Sequence, residues 1–257
     1  MIAWFDSLNS VVAGIVVVGG FVASTMVLGY LVQHFTSQEV RAEHNDRAGF
    51  ILAVIGVVYA VLLGFVAIGV WDRFQQAEIR TYDEAGALAS VYRDSRSFEH
   101  TDDLRATLRA YTNSVIHDEW PHMSQGNKSG LTDALLERID AKVRALDVTT
   151  PAQADIHRQM IDATATALDN RETRLTIDFV GINGSMWAVL IAGAYLTVAF
   201  TYLFGFDRTI MQQLMILGLS LMIGLVLYLV MAMDFPYRGG IAVSPEAFKA
   251  LLESWHS

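Results

Sequence analysis

Between Gly49 and Trp71 the chain reads GFILAVIGVVYAVLLGFVAIGVW, 23 residues without a charge. As an α-helix this run is about 34 Å long, enough to cross a hydrocarbon layer of about 30 Å. Its small residues, Gly49, Ala53, Gly56, Ala60, Gly64 and Ala67, recur at spacings of three and four and so form one ridge on one helical face. In lipid, helices gain little by hiding apolar surface; they gain by close backbone approach, which small residues at this spacing permit. Ile51, Val54, Val58, Leu62 and Phe65 occupy the other side. The stretch reads as the central helix of a multi-span membrane protein. One face is packed tightly, and the other meets lipid, a neighbouring subunit or a pore.

Three further stretches exceed 18 uncharged residues, at 11–33, 180–206 and 209–233. Each has the length and composition of a membrane span. The hydrophobic share of 53% is high for a soluble domain of 257 residues. The first span has no basic n-region, carries Asp6 before it, and is long for a signal-peptide core, so a retained anchor is expected. Trp4, Phe5 and Tyr30 are placed as interfacial anchors. The expected organisation is a hairpin of spans over 1–71, a helical domain over 72–178, a second hairpin over 179–233, and a tail over 234–257 with a short helix after Pro245.

Four crossings put both termini and residues 72–178 on one side. That side holds 15 of the 18 Lys and Arg residues; Arg41, Arg47 and Arg208 are on the other. The excess of positive charge places the termini and the helical domain in the cytoplasm, with the inner membrane as the location. The net charge of −9 argues against nucleic acid as a partner, and the absence of cysteine excludes disulfides and thiolate chemistry.

No proline interrupts the chain after Trp71 until Pro121, and apolar residues from Phe74 to Tyr92 keep a near-helical period. The second span is therefore predicted to run on as one long helix to about Phe98. Thr101 starts the next helix, to about Asp118, with Trp120-Pro121 as its end and SQGNKSG as a loop. Two amphipathic helices follow, one from Leu131 to Leu146 and one capped by Thr149-Thr150-Pro151. The fold class is thus an all-α membrane protein. Its four transmembrane helices carry a cytoplasmic helical bundle formed partly by extensions of spans two and three, with a hinge near Gly181, Asn183 and Gly184.

VYAVLLGF at 58–65, Glu84-Ala85 with Tyr92-Arg93, EWP at 119–121, Arg171 with Arg174-Leu175, and MDFPYRG at 233–239 followed by Pro245 form an ordered set. In this set, from about residue 45 onward, the chain resembles the prokaryotic bestrophin-like membrane proteins, distant relatives of the bestrophin ion channels. The resemblance implies a ring-shaped homo-oligomer, a pentamer by analogy, with the second span lining the pore and inorganic ions as the permeant species. The acidic calcium-binding clasp of bestrophins proper has no counterpart here, so calcium gating is not carried over.

No ionisable residue lies in the central part of any span, which disfavours a coupled transporter. A channel needs no such group, because a hydrophobic constriction can gate by dewetting. Pore-neck candidates are Val54, Val58, Tyr59, Val61, Leu62 and Phe65, whose bland reading is contact with lipid or neighbouring helices. The reverse arrangement, with the small ridge on the pore, is equally compatible with the sequence. Glu84, Arg93, Glu119, Arg171 and Arg174 are charges among apolar residues; they read as interhelical ion pairs or as a charged vestibule ring. Asp234 and Arg238 flank Pro236 and read as a cap or salt bridge closing a helix end. HDEWPH at 117–122 and EHTDD at 99–103 lack the spacing of a metal motif, so no metal or cofactor is expected. Phosphate-binding glycine loops, HExxH and GxSxG are missing, which gives no ground for an enzyme. The acidic helical domain, 19 acidic against 13 basic residues in 72–178, would favour cations by its local potential. The alternative to a channel is a membrane-anchored sensor or scaffold whose helical bundle binds a partner protein.

Overall fold

A computed structural model of the chain describes residues 10–36, 45–203 and 210–255. All regular elements among them are helical: α1 (Ser10–Phe35), α2 (Asn45–Asp94), α3 (Asp102–Ser114), α4 (Trp120–Ser124), α5 (Gly130–Arg144), α6 (Pro151–Phe179), α7 (Gly184–Tyr202), α8 (Ile210–Met233) and α9 (Glu246–Ser254). Four of these, α1, α2, α7 and α8, are long and apolar enough to cross a membrane. The anchors Trp4 and Phe5, the connection 37–44 and the turn at 205–208 lie outside the described residues.

The described residues divide into two compact units. One lies within Ser7–Asp72 and Ile182–Asp234, the other within Arg73–Gly181 and Phe235–Ser257. In the apolar unit, close approach is achieved at glycines opposite tyrosines. A Cβ on Gly29 would stand 2.2 Å from the Tyr202 ring, and one on Gly193 2.5 Å from Tyr59. Hydroxyls add interhelical bonds: Ser24 Oγ and Tyr195 OH are 2.6 Å apart, and Thr25 Oγ1 donates to Ser220 Oγ at 3.2 Å. Such bonds fix register where no water competes for the groups.

α2 runs unbroken for 50 residues, as the lack of proline predicts. It ends at Asp94, a turn earlier than Phe98, in a 3₁₀ turn at Ser95–Ser97. Thr101 sits at the N-cap of α3, but its hydroxyl donates to Ser95 O at 2.9 Å instead of accepting from the helix.

Two expectations are corrected. Trp120-Pro121 does not end a helix. A widened π-type turn, Val115–Glu119, precedes it and Pro121 falls in the first turn of α4, where its missing N–H costs no bond. The expected extension of span three is also interrupted, at the hinge expected near Gly181, Asn183 and Gly184. α6 stops at Phe179 and α7 starts at Gly184, with the Asn183 side chain accepting from Ser185 N at 3.2 Å. The span therefore begins at Gly184 and not at Val180, because Asp234 Oδ1 accepts from Ile182 N at 2.7 Å and holds that segment out of helical pairing.

The second unit has one core. Ala77, Leu88, Val91, Leu104, Leu108, Tyr111, Ile139, Val143, Met160 and Phe248 are among its buried members. Thr150 caps α6 with Pro151 in its first turn, as the sequence signals, and α9 is seated by Phe248 and by Trp255 stacked on Tyr92 at 4.3 Å.

Candidate functional site: the outward face of the second helix and its buried anchor

Three sectors can be read around the apolar part of α2. Tyr59, Leu63 and Val70 are buried, and Leu62 and Val66 are half-buried against the same apolar cluster, which includes Leu190, Ala194 and Val198 of α7. Beside this packed sector lies the small ridge. Ala53 and Ala60 are exposed, and a Cβ on Gly56 or Gly64 would meet nothing within 4 Å. Gly49 and Ala67 are half-buried. The third sector carries the bulky residues Val54, Val57, Val58, Val61, Phe65 and Ile68, all exposed, Phe65 by 71%.

This arrangement corrects two sequence expectations. The ridge does not supply the packed face within one chain; that role falls to tyrosine and leucine, because Tyr59 fills the notch left by Gly193. Tyr59, at 6% exposure, and the half-buried Leu62 consequently lie away from the outward stripe that holds Val54, Val58, Val61 and Phe65. The Tyr59 hydroxyl is buried without a hydrogen-bond partner among the described residues.

In the second unit the same helix continues with an outward row of Gln75, Ile79, Tyr82, Gly86 and Arg93, spaced by three, four and seven. Its opposite face carries Glu84, fully buried. Arg174 of α6 meets it from the other side: Nε donates to Glu84 Oε2 at 2.8 Å, and Nη2 donates to Glu84 Oε1 at 3.2 Å and to Glu119 Oε1 at 2.5 Å. The guanidinium lies 5.0 Å from the Trp120 ring centre and 5.8 Å from that of Phe248. Arg171, one turn earlier, pairs with Glu119 through Nε and Nη2 and with Asp133 through Nη1. The Tyr111 hydroxyl donates to Glu84 Oε1 at 2.6 Å. Two carboxylates and two guanidiniums are thus buried together, with Asp133 at the rim.

Burial raises the Glu84 pKa above its ordinary value, against the opposing pull of Arg174, and Glu119 pushes it further. Burial and the two carboxylates hold the Tyr111 phenol neutral. Burial alone would lower the pKa of Arg171 and Arg174, but the surrounding carboxylates reverse this and both stay charged.

The four charges Glu84, Glu119, Arg171 and Arg174 therefore come together. Arg93 does not join them: it is exposed and bonds to its neighbour Asp94 at 3.0 Å. Asp234 caps the start of α7, accepting from Ile182 N and, at 3.3 Å, from Trp187 Nε1. Arg238 turns to buried Asp178, with Nε donating to Oδ1 at 3.1 Å and Nη2 to the carbonyl at 2.8 Å. Asp133, Asp178 and Tyr111 were not singled out from the sequence. A usable signal existed for Asp178: with Arg171 and Arg174 it continues the buried face of Met160, Thr164 and Ala167 at helical spacing. Among the described residues no group of three or more potential metal ligands assembles.

The profile of the Bestrophin-like domain matches residues 19–248. The crystal structure of a bacterial bestrophin homologue from Klebsiella pneumoniae, carrying an isoleucine-to-threonine mutation, is similar in fold. Its TM-score is 0.72 at 12% identity, covering 93% of this chain and 99% of that one. A leucine-to-threonine mutant of a bacterial bestrophin homologue from Klebsiella pneumoniae gives 0.67 at 14% identity, covering 92% and 96%. A structure described as a membrane protein with a proline-to-alanine substitution gives 0.65 at 12%, covering 90% and 96%. No curated protein matches the chain.

Proposed function

Because the chain belongs to the bestrophin-like domain family, we propose that it forms an ion channel of the bacterial inner membrane, a homo-oligomer, most simply a pentamer, closed around copies of α2. The observation that carries this reading is the outward stripe of α2. Val54, Val58, Val61 and Phe65 are bulky, apolar and exposed, on a helix whose Tyr59 and Leu63 are buried in the packed cluster of their own chain. Identical subunits in a closed ring are the simplest way to enclose a path with one helix each. Residues of this kind make a hydrophobic neck that conducts only when wetted.

Within that ring the ridge of Gly49, Ala53, Gly56, Ala60, Gly64 and Ala67 packs against the neighbouring subunit, where its lack of side chains lets two backbones approach. The charge cluster of Glu84, Glu119, Arg171 and Arg174 fixes the register between α2 and the helical domain and does not line the path, since all four side chains are buried. The helical domain and both termini are cytoplasmic, and its acidic surface favours cations at the inner mouth.

The test is ion flux in liposomes reconstituted with the purified oligomer. Phe65→Ala and Val58→Ala should change conductance while leaving the oligomer mass unaltered. Absence of flux under every voltage and pH tried, with an intact ring, would reject the channel in favour of a scaffold.

A further inference from the structure

The turn between α4 and α5, residues 125–129, sits beside both chain segments that lead directly into membrane spans. Gly126, at φ +75°, lies against the Arg238 guanidinium, so close that an added Cβ would stand 3.1 Å from Nη1. Arg238 follows the end of α8 by five residues and lies 4.6 Å from the Phe235 ring centre. Lys128 Nζ lies 5.5 Å from the Phe179 ring centre, and Phe179 precedes the first residue of α7 by five. Even fully extended, that interval spans less than about 18 Å. Phe179 and Val180 are exposed, by 41% and 57%. An exposed phenylalanine and an exposed valine this close to a span offer apolar surface for the headgroup boundary to cover.

The charges around the turn are otherwise engaged. Asp178 is held by Arg238, Asp118 accepts from Ser129, and Asp133 takes Arg171. Lys128, by contrast, pairs with no carboxylate among the described residues and rests on an aromatic ring. The turn's backbone is fixed by bonds from Gly126 N to Met123 O at 2.8 Å and from Asn127 N to His122 O at 2.9 Å. The lysine is therefore presented from a defined loop, and its flexible stem can carry the ammonium along apolar surface toward a phosphate.

We propose that residues 125–129 rest at the bilayer surface and that Lys128 takes the phosphate of an anionic phospholipid headgroup. This goes beyond the channel reading and does not depend on it, because it needs only that α7 and α8 cross the membrane. A single lysine near an anionic surface changes local lipid affinity roughly fivefold.

The full-length protein is reconstituted in phosphatidylcholine vesicles doped with a phosphatidylglycerol that carries a photoreactive headgroup, and the crosslinked peptides are mapped. Crosslinks should fall in residues 125–129. They should drop about fivefold in Lys128→Gln, return in Lys128→Arg, and survive an excess of free inorganic phosphate. Equal labelling by a phosphatidylcholine analogue, no change in Lys128→Gln, or loss to free phosphate would each overturn the proposal. An independent measurement uses the absence of native cysteines. A nitroxide on Asn127→Cys should report headgroup depth from its collisions with oxygen and a nickel chelate, and the accessibility of bulk water there would equally defeat it.

Discussion

Replacing Arg174 by Met removes the cation on which the interior of the helical unit turns. The guanidinium is fully buried and makes three charge-assisted hydrogen bonds to Glu84 and Glu119. Methionine fills a similar volume, so the main loss is electrostatic. Glu84 keeps only the Tyr111 hydroxyl among its hydrogen bonds described above, and Glu119 keeps Arg171. Removing one partner of a buried ion pair costs about 3–5 kcal/mol. In a chain of this size that corresponds to a fall in Tm of roughly 6–20 °C. The penalty should depend on pH. Glu84 already has a raised pKa from burial, and without Arg174 it rises further. A carboxyl whose folded pKa is raised stabilises the fold below its unfolded pKa and loses that contribution as pH rises through the folded value. Arg174→Met should therefore be worst near pH 7 and recover toward pH 5, by up to about 1.4 kcal/mol per pH unit as Glu84 takes up a proton. Thermal unfolding of the detergent-solubilised protein at pH 5 and pH 7 measures it. A penalty below about 1 kcal/mol, or one equal at both pH values, would refute the assignment of Arg174 as a charged, buried hub.

Tyr59→Phe should be neutral or mildly stabilising in thermal unfolding, because it deletes a buried hydroxyl that has no partner among the described residues, a group that costs about 1–3 kcal/mol to leave unsatisfied; a clear loss of stability would mean the hydroxyl is bonded. In Gly56→Leu combined with Gly64→Leu the added Cβ atoms meet nothing within 4 Å among the described residues, so helicity should be unchanged while the mass in mild detergent falls; an unchanged mass would put the ridge on lipid or on the pore. Asp178→Ala leaves the half-buried Arg238 without its carboxylate and should lower stability by about 1–3 kcal/mol, with Asp178→Asn between the two; no effect would show the pair to be dispensable.

The apolar runs made four crossings legible, because lipid imposes a length on any helix that spans it, and the absence of proline from Trp71 to Trp120 made the long α2 legible in the same way. Pro121 misled for a local reason. A proline stops a helix only where its N–H is needed, and the π-type turn at Val115–Glu119 moves it to a position where it is not. The small ridge misled for a different reason. The sequence shows which residues permit close approach, but not whether the approaching backbone belongs to the same chain; Gly193 opposite Tyr59 decided that, and its signal is one glycine 134 positions away. The buried charges were recognisable as a group, yet the choice of Asp133 and Asp178 as partners depends on how α5 and α6 lie against their neighbours, which composition and period do not encode.

The stretch of α2 from Phe65 to Glu84 contains no proline and no break. The two side chains are 19 positions apart, a distance of roughly 28 Å along the axis. A stiff cylinder of that length cannot twist at one end and stay still at the other. Any event that loosens the grip of Arg174 on Glu84 and lets the lower end turn by a few tens of degrees must swing the Phe65 ring sideways by several ångströms. A helix built this way carries its outward apolar stripe and its buried charge anchor on one shaft.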